Sequence, residues 1–281
     1  MLVHLDCFPC FLKQALIALR LGTQDVALQE HILKSVLDEI KSADTSKPPA
    51  HTTTFIHKKI RNLLGKDPFK KIKSEYNQIA LALYPSLKTL VEGSRDPLWT
   101  STRLAIAGNV IDFGIFTSID IEGTIERSLH SPLAVDGYSD LRSVVQESGT
   151  ILYLTDNAGE IVFDRLLVET LLSLGKNVIA AVKGSPVIND ATIEDASETG
   201  LVHVCEVIDN GSDAVGTILQ WTSPEFQEIF GSAHLVMSKG QGNFETLLGK
   251  RENMFFLFQS KCTVVSQELG LPLGSMLIKK S

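Results

Sequence analysis

The sequence predicts an α/β fold, a Rossmann-like parallel sheet with helices on both faces, preceded by a helical N-terminal region. Three observations carry that expectation. Short apolar runs recur through the second half, at 151–154, 177–182, 202–208, 233–238 and 254–258. Helical segments alternate with them, and this β-α-β-α rhythm calls for a parallel sheet covered by helices. Upstream, residues 11 to about 147 carry their apolar side chains at helical spacing. The expected division is therefore 1–147, mostly helical, and 148–281, a Rossmann-like domain that carries the chemistry.

Along the first half, "QDVALQEHILKSVLDEIKS" has apolar residues at 26, 28, 32, 33, 36, 37 and 40, an amphipathic helical period. The stretch 43–50, "ADTSKPPA", reads as a loop by its Pro and Ser content. In "EYNQIALALYPSLKTLVEG", Pro85 marks a break or kink. Asp96 and Pro97 open the next helix as N-cap and first helical residue. Beyond 149 the helices are expected in "GEIVFDRLLVETLLSLG", "INDATIEDAS", "SPEFQEIFG" and "GNFETLLG".

Composition narrows the function classes. The 281 residues suffice for one large domain or two unequal ones. A hydrophobic share of 44% with 21% charged residues belongs to a globular chain. The net charge of −7, without a basic stripe interleaved with aromatics, argues against nucleic acid and anionic membrane surfaces as partners. No apolar run is long enough to span a bilayer. The apolar N-terminus is interrupted by Asp6, Lys13 and Arg20 and has no small-residue cleavage site, so a cytoplasmic location is expected. Cys205 lies in an apolar run and is expected to be a buried structural thiol.

In open parallel sheets ligands sit beyond the carboxyl ends of the strands. Three such ends are polar here: Thr155–Glu160, Lys183–Asp190 and Ser238–Asn243. Asp156, Asn157 and Asp190 together offer two carboxylates and one amide oxygen, a set suited to a hard divalent cation. Each is also a good helix cap, so capping and metal binding both stand at this point. Lys239 with Gly240 and Gly242 could form an anion-binding concavity or a solvated loop. Asn109 and Asp112, flanked by Gly108 and Gly114, read from spacing alone as a helix end and a turn. Cys7 and Cys10 form a CxxC that could be a redox pair, half a metal site completed by Cys262 and a histidine, or chance. No Walker loop, GxGxxG, GxSxG or DxDx(T/V) pattern is present. If phosphate is cleaved, water attack on a metal-bound phosphate fits better than a phospho-enzyme.

Taken in order, "IAGNVIDFG", "LTDNAGEIVFD", "VKGSPVINDAT" and "SKGQGNFETL" resemble the damage-control phosphatases. "CFPC" and the "QSKCTVV" around Cys262 resemble the compact, cysteine-containing microbial branch of that family. The resemblance implies a helical N-terminal part and a Rossmann-like C-terminal part. It also implies metal-dependent hydrolysis of small phosphorylated metabolites, especially damaged or reactive sugar phosphates. Mn²⁺, Co²⁺, Ni²⁺ or Mg²⁺ would be the cation. It maps Asp156, Asn157 and Asp190 onto the metal ligands, and these with Lys239 onto the catalytic set. Lys239, Gly240 and Asn243 match the phosphate-contacting loop, Asn109 and Asp112 become pocket residues, and Glu160 and Glu245 are further substrate-side residues. Two alternatives remain: a non-catalytic metal-binding or redox module using the CxxC, and an S-adenosylmethionine-dependent carboxylate methyltransferase. The extended chain and C-terminal RTxK-type motif tied to the methyltransferase branch are absent.

Overall fold

The computed structural model describes residues 1–110 and 121–281. The N-terminal region folds as α1 (Cys7–Gly22), α2 (Val26–Lys41), α3 (Pro49–Leu64), α4 (Lys70–Glu92), α5 (Pro97–Val110) and α6 (Ile121–His130). A short strand, β1 (Val135–Asp136), and α7 (Tyr138–Glu147) follow. Next come β2 (Thr150–Leu154), α8 (Glu160–Ser173), β3 (Asn177–Val182), α9 (Ile193–Glu198) and β4 (Glu206–Asp209). The chain closes with α10 (Pro224–Ser232), β5 (Leu235–Lys239), α11 (Gln241–Leu247), β6 (Met254–Gln259), α12 (Thr263–Leu269) and β7 (Met276–Lys280).

The seven strands form one sheet in the order β1-β7-β6-β5-β2-β3-β4. All neighbours are parallel except β6 and β7. From β2 the chain builds outward through β3 and β4, then crosses back to β5 and builds the other half. The reversal falls between β2 and β5, where Leu154 pairs with Ser238. That gap is the topological switch point, where such sheets bind ligands.

Both faces of the sheet are covered, which is why its central strands are apolar without alternation. Ile151 and Tyr153 point into one core with Phe163 and Leu167 of α8 and Leu104 of α5. Leu152 and Leu154 point into the other, with Phe226 of α10 and Phe244 of α11. Each such side chain contributes roughly 1.5–3 kcal/mol by leaving water. A third core, around Phe11, Ile32, Ile56 and Phe69, joins α1, α2 and α3 and reaches Val264 of α12.

Several local expectations hold at atomic detail. Asp96 Oδ1 accepts from the Trp99 N–H at 3.1 Å, with Pro97 as first residue of α5. Others change. Pro85 lies inside α4 without ending it. Carbonyls around it are satisfied by hydroxyls, Ser86 Oγ donating to Leu83 O at 2.8 Å and Thr89 Oγ1 to Pro85 O at 3.0 Å. The apolar run 202–208 begins as a single 3-10 turn at Leu201–His203 and is strand only from Glu206. Cys205 is accordingly half-buried rather than buried. "CFPC" is the first turn of α1, with no strand before it. The terminal β7, antiparallel to β6, was not among the strands expected from the sequence. No described helix is long and apolar enough to cross a membrane.

Candidate active site

The loops after β2 and β3 are zipped together. The Ala191 N–H donates to Asp156 O at 2.8 Å, and the Ala158 N–H to Asn189 O at 2.9 Å. Asn157 and Asp190 form an isolated antiparallel bridge between them. This pairing brings Asp190 beside the adjacent Asp156 and Asn157, from which it is distant in sequence. None of the three caps a helix: α8 starts after Gly159, and α9 starts after Thr192, whose capping box uses Asp195.

The loop after β5 meets Asp156 from the other side of the switch point. Gly240 has φ +79°, and a Cβ there would lie 2.1 Å from Asp156 Oδ2. Only glycine permits both the backbone angle and the contact. Gly240 thus lets the backbone close on the Asp156 carboxylate.

Lys239 sits beneath, fully buried. Its ammonium donates to Glu160 Oε1 at 2.5 Å, Asp164 Oδ1 at 2.6 Å and Ala105 O at 2.8 Å. Those three acceptors engage its three N–H bonds, so it meets carboxylates where the sequence led us to expect a phosphate. Burial lowers its pKa, but Asp164 and Glu160 outweigh that and raise it. Asp164 is pushed up to about 7 by burial, against the pull of Lys239. Tyr153 Oη donates to Asp164 Oδ1 at 2.8 Å.

Glu160 is the hub. Its Oε2 accepts from Asn109 Nδ2 and from Asn157 Nδ2, each at 3.0 Å. The same two amides donate to Asp156 Oδ2, at 3.0 Å and 2.7 Å. Asn109 Oδ1 accepts from the Gln259 N–H at 3.2 Å, which fixes the amide's orientation. Helix α4 clamps the assembly from outside: Asn77 Oδ1 accepts from the Gly159 N–H at 2.7 Å, and Lys73 pairs with Asp195 at 2.7 Å. Asn243 ties loops together, its Nδ2 donating to Lys239 O and Thr155 O while Oδ1 accepts from Thr217. Asp112 lies outside the described residues.

Asp164, Lys183 and Asn77 were missed as site residues in the sequence. Asp164 had a usable signal, an acid four residues after Glu160 and so on the same face of a helix that is mostly apolar. Lys183, whose ammonium lies 3.4 Å from Asp190 Oδ2, followed a strand end already rich in polar groups. Asn77 sits mid-helix with nothing in the sequence to mark it.

The donor chemistry suits a hard divalent cation. Burial, then the Glu160 and Asp190 carboxylates, raise Asp156 well above the usual carboxylate range. Burial likewise raises Asp190, against the Lys183 charge. A divalent cation would relieve that crowding. Asn157 turns its Nδ2 toward Asp156 and Glu160, so its Oδ1 points away from both. Among the described residues no three His, Cys, Asp or Glu side chains are gathered as a ligand cluster. The set here is two carboxylates and one amide oxygen, with the remaining positions open to water or phosphate oxygens.

A cavity of about 230 Å³ opens beside Asn157 and Asp190. His57 of α3 lines it and is 2% exposed. Burial, aided by the Arg61 charge, pushes its imidazole down to about 3. Between that value and the ordinary 6.5, the unfolded chain binds the extra proton. The stability contributed by neutral His57 is therefore present above pH 6.5 and is lost as pH falls toward 3. The slope is at most about 1.4 kcal/mol per pH unit. Urea unfolding at pH 7 and pH 4.5 should show a larger acid loss for the wild type than for His57→Phe; equal losses would contradict this assignment.

A second cavity, of about 260 Å³, is bordered by Cys7, Cys10, Cys262, Gln241, Glu245 and Lys261. Glu245 Oε1 accepts from Gln241 Nε2 at 2.9 Å, and burial pushes its carboxyl up to about 7. All four cysteines are free thiols. Burial raises both Cys7 and Cys10, which disfavours the reactive thiolate.

A family model described as the damage-control phosphatase ARMT1-like domain matches residues 3–277. The chain is 33% identical over 286 residues to a damage-control phosphatase of Pyrococcus horikoshii, covering 100% of this chain and 99% of that one. It is 32% identical over 281 residues to a damage-control phosphatase of Archaeoglobus fulgidus, covering 97% of each. The crystal structure of a DUF89 family protein from Pyrococcus horikoshii superposes with a TM-score of 0.92 at 33% identity, covering 100% of this chain and 99% of that one.

Proposed function

We propose that this chain, which belongs to the damage-control phosphatase ARMT1-like family, is a divalent-metal-dependent phosphatase of small phosphorylated metabolites. The observation that carries the reading is the meeting of Asp156, Asn157 and Asp190 at the switch point of the sheet, beside a cavity. These three residues would hold the cation through two carboxylates and the Asn157 amide oxygen. When bound, the cation supplies Lewis-acid neutralisation of the phosphoryl oxygens.

The chain's own residues do the rest. Glu160 positions Asn157 and Asn109, and through them Asp156. Lys239 balances Glu160 and Asp164 from below and acts as a positioning residue. The backbone at Gly240, not the Lys239 ammonium, borders the reacting phosphate in this reading. Asp190, held by the Lys183 ion pair, completes the oxygen-lined floor.

The test is phosphate release from a panel of small phosphomonoesters after chelation and after re-addition of Mn²⁺, Co²⁺, Ni²⁺ or Mg²⁺. Release is expected only with a cation present. Full activity in the chelated protein, or none with any cation, would end the reading. A redox module built on the CxxC has less support, because burial raises both the Cys7 and the Cys10 thiol and so disfavours the reactive thiolate.

A further inference from the structure

We propose that Ile188 is a specificity-determining residue: its side chain partitions the space beside the site into two cavities and so excludes phosphomonoesters with bulky leaving groups. The inference rests on the phosphatase reading and deepens it. Ile188, with φ +46°, is the only non-glycine of positive φ among the described residues. For a β-branched side chain that angle is a genuine outlier. Ile188 is the second residue of the turn Val187–Asp190, which the Asp190 N–H closes by donating to Val187 O at 3.1 Å. Turns with a positive φ at that position are dominated by Gly, Asn and Asp. A glycine would make the same turn without strain. What the position gains from isoleucine is therefore the side chain. Strain of this kind persists only where the surroundings hold it, and it gathers at functional sites. Here the zipped loops hold it: the residue after Ile188 accepts from the Ala158 N–H, and the residue after that is Asp190.

The Ile188 side chain is half-buried and packs against the third core, built by α1, α2 and α3. It lines both cavities beside the site. The first, of about 230 Å³, has Asn157 and Asp190 in its lining, so the alcohol part of a phosphomonoester held by those residues extends into it. The second, of about 260 Å³, is bordered by Gln241 and Gly242 of the loop after β5. Gln14 is the other residue that both cavities share, so they adjoin at Gln14 and Ile188. Each alone is smaller than the 300–1,000 Å³ of sites for drug-sized ligands, and joined they would fall within that range. Trimming Ile188 lets a leaving group that overfills the first cavity run on into the second.

The test measures kcat/KM for phenyl phosphate and 1-naphthyl phosphate, two aryl esters that differ in leaving-group size, with Mn²⁺ present. The proteins are wild type, Ile188→Val, Ile188→Ala and Ile188→Gly. The naphthyl-to-phenyl ratio should rise about tenfold in Ile188→Gly, the scale on which pockets discriminate apolar groups. It should rise in Ile188→Ala as well, which decides the matter should the glycine variant fail to fold. Ile188→Val keeps the β-branched wall and should keep the wild-type ratio. A side chain that only packs against the third core would, when trimmed, lower both rates together, and an unchanged ratio in the alanine and glycine variants overturns the partition. Where the wild type releases no phosphate from either ester, the phosphatase reading falls alone. Calorimetric titration of the same proteins with the two esters then reads the partition: a tenfold rise in the ratio of affinities supports it, and an unchanged ratio, or no binding of either ester, overturns it.

Discussion

Asp156→Asn is expected to lower phosphate release by about 10³-fold or more, in a protein that folds as well as the wild type. The loss follows from removing one of two carboxylates that would hold the cation. It corresponds to about 4 kcal/mol of transition-state stabilisation. The unchanged fold follows from the same crowding. Asp156 faces Glu160 and Asp190, and its raised pKa means that its charge costs stability at neutral pH. Asparagine keeps an oxygen for the Asn109 and Asn157 amides and removes that charge. Metal-free Asp156→Asn should therefore melt at or above the wild-type temperature, a trade between stability and function common at active sites. A variant that keeps more than a tenth of the activity, or that unfolds, would contradict this assignment.

Lys239→Met is expected to destabilise the protein by about 3–5 kcal/mol, the usual result of breaking a buried ion pair from one side. Glu160 and Asp164 are 1% and 0% exposed, and Lys239 is the cation that both contact. Without it, two buried carboxylates face each other. For a chain of this length the loss lowers the melting temperature by about 10 °C. Adding Asp164→Asn to Lys239→Met should recover part of it, since one uncompensated charge is removed and Tyr153 keeps its acceptor. Activity should fall with either change, because Glu160 no longer holds Asn157 and Asn109 in place. Chemical denaturation of the three proteins decides this. A single variant within about 1 kcal/mol of wild type would show that the triad is not the support described here.

The sheet and the metal-type residues were legible for one reason: central parallel strands are apolar on both faces, so the polar residues at their ends stand out. Asp156, Asn157, Asp190 and Gly240 all sit in such positions. The supporting residues were hidden by the opposite effect. Asp164 and Lys239 are buried and mutually neutralised, and a charge pair formed across 75 residues leaves no local pattern. The Lys239 ammonium could be read from sequence only as a phosphate contact, because a lysine beside glycines looks the same in either role. His57 comes from an amphipathic helix of ordinary appearance, and it joins the cavity beside Asp190 only when α1, α3 and α4 close over the strand ends, which no spacing rule reports. Strand β7, which lies between β1 and β6, was missed because pairing antiparallel to β6 requires a reversal inside what otherwise reads as a continuing α/β rhythm.

The most direct measurement is the anomalous signal from a crystal of the protein loaded with Mn²⁺. One peak is expected, within about 2.0–2.6 Å of carboxylate oxygens of Asp156 and Asp190 and of Asn157 Oδ1. A peak at the cysteines of α1, or no ordered ion at the switch point between β2 and β5, would contradict the account.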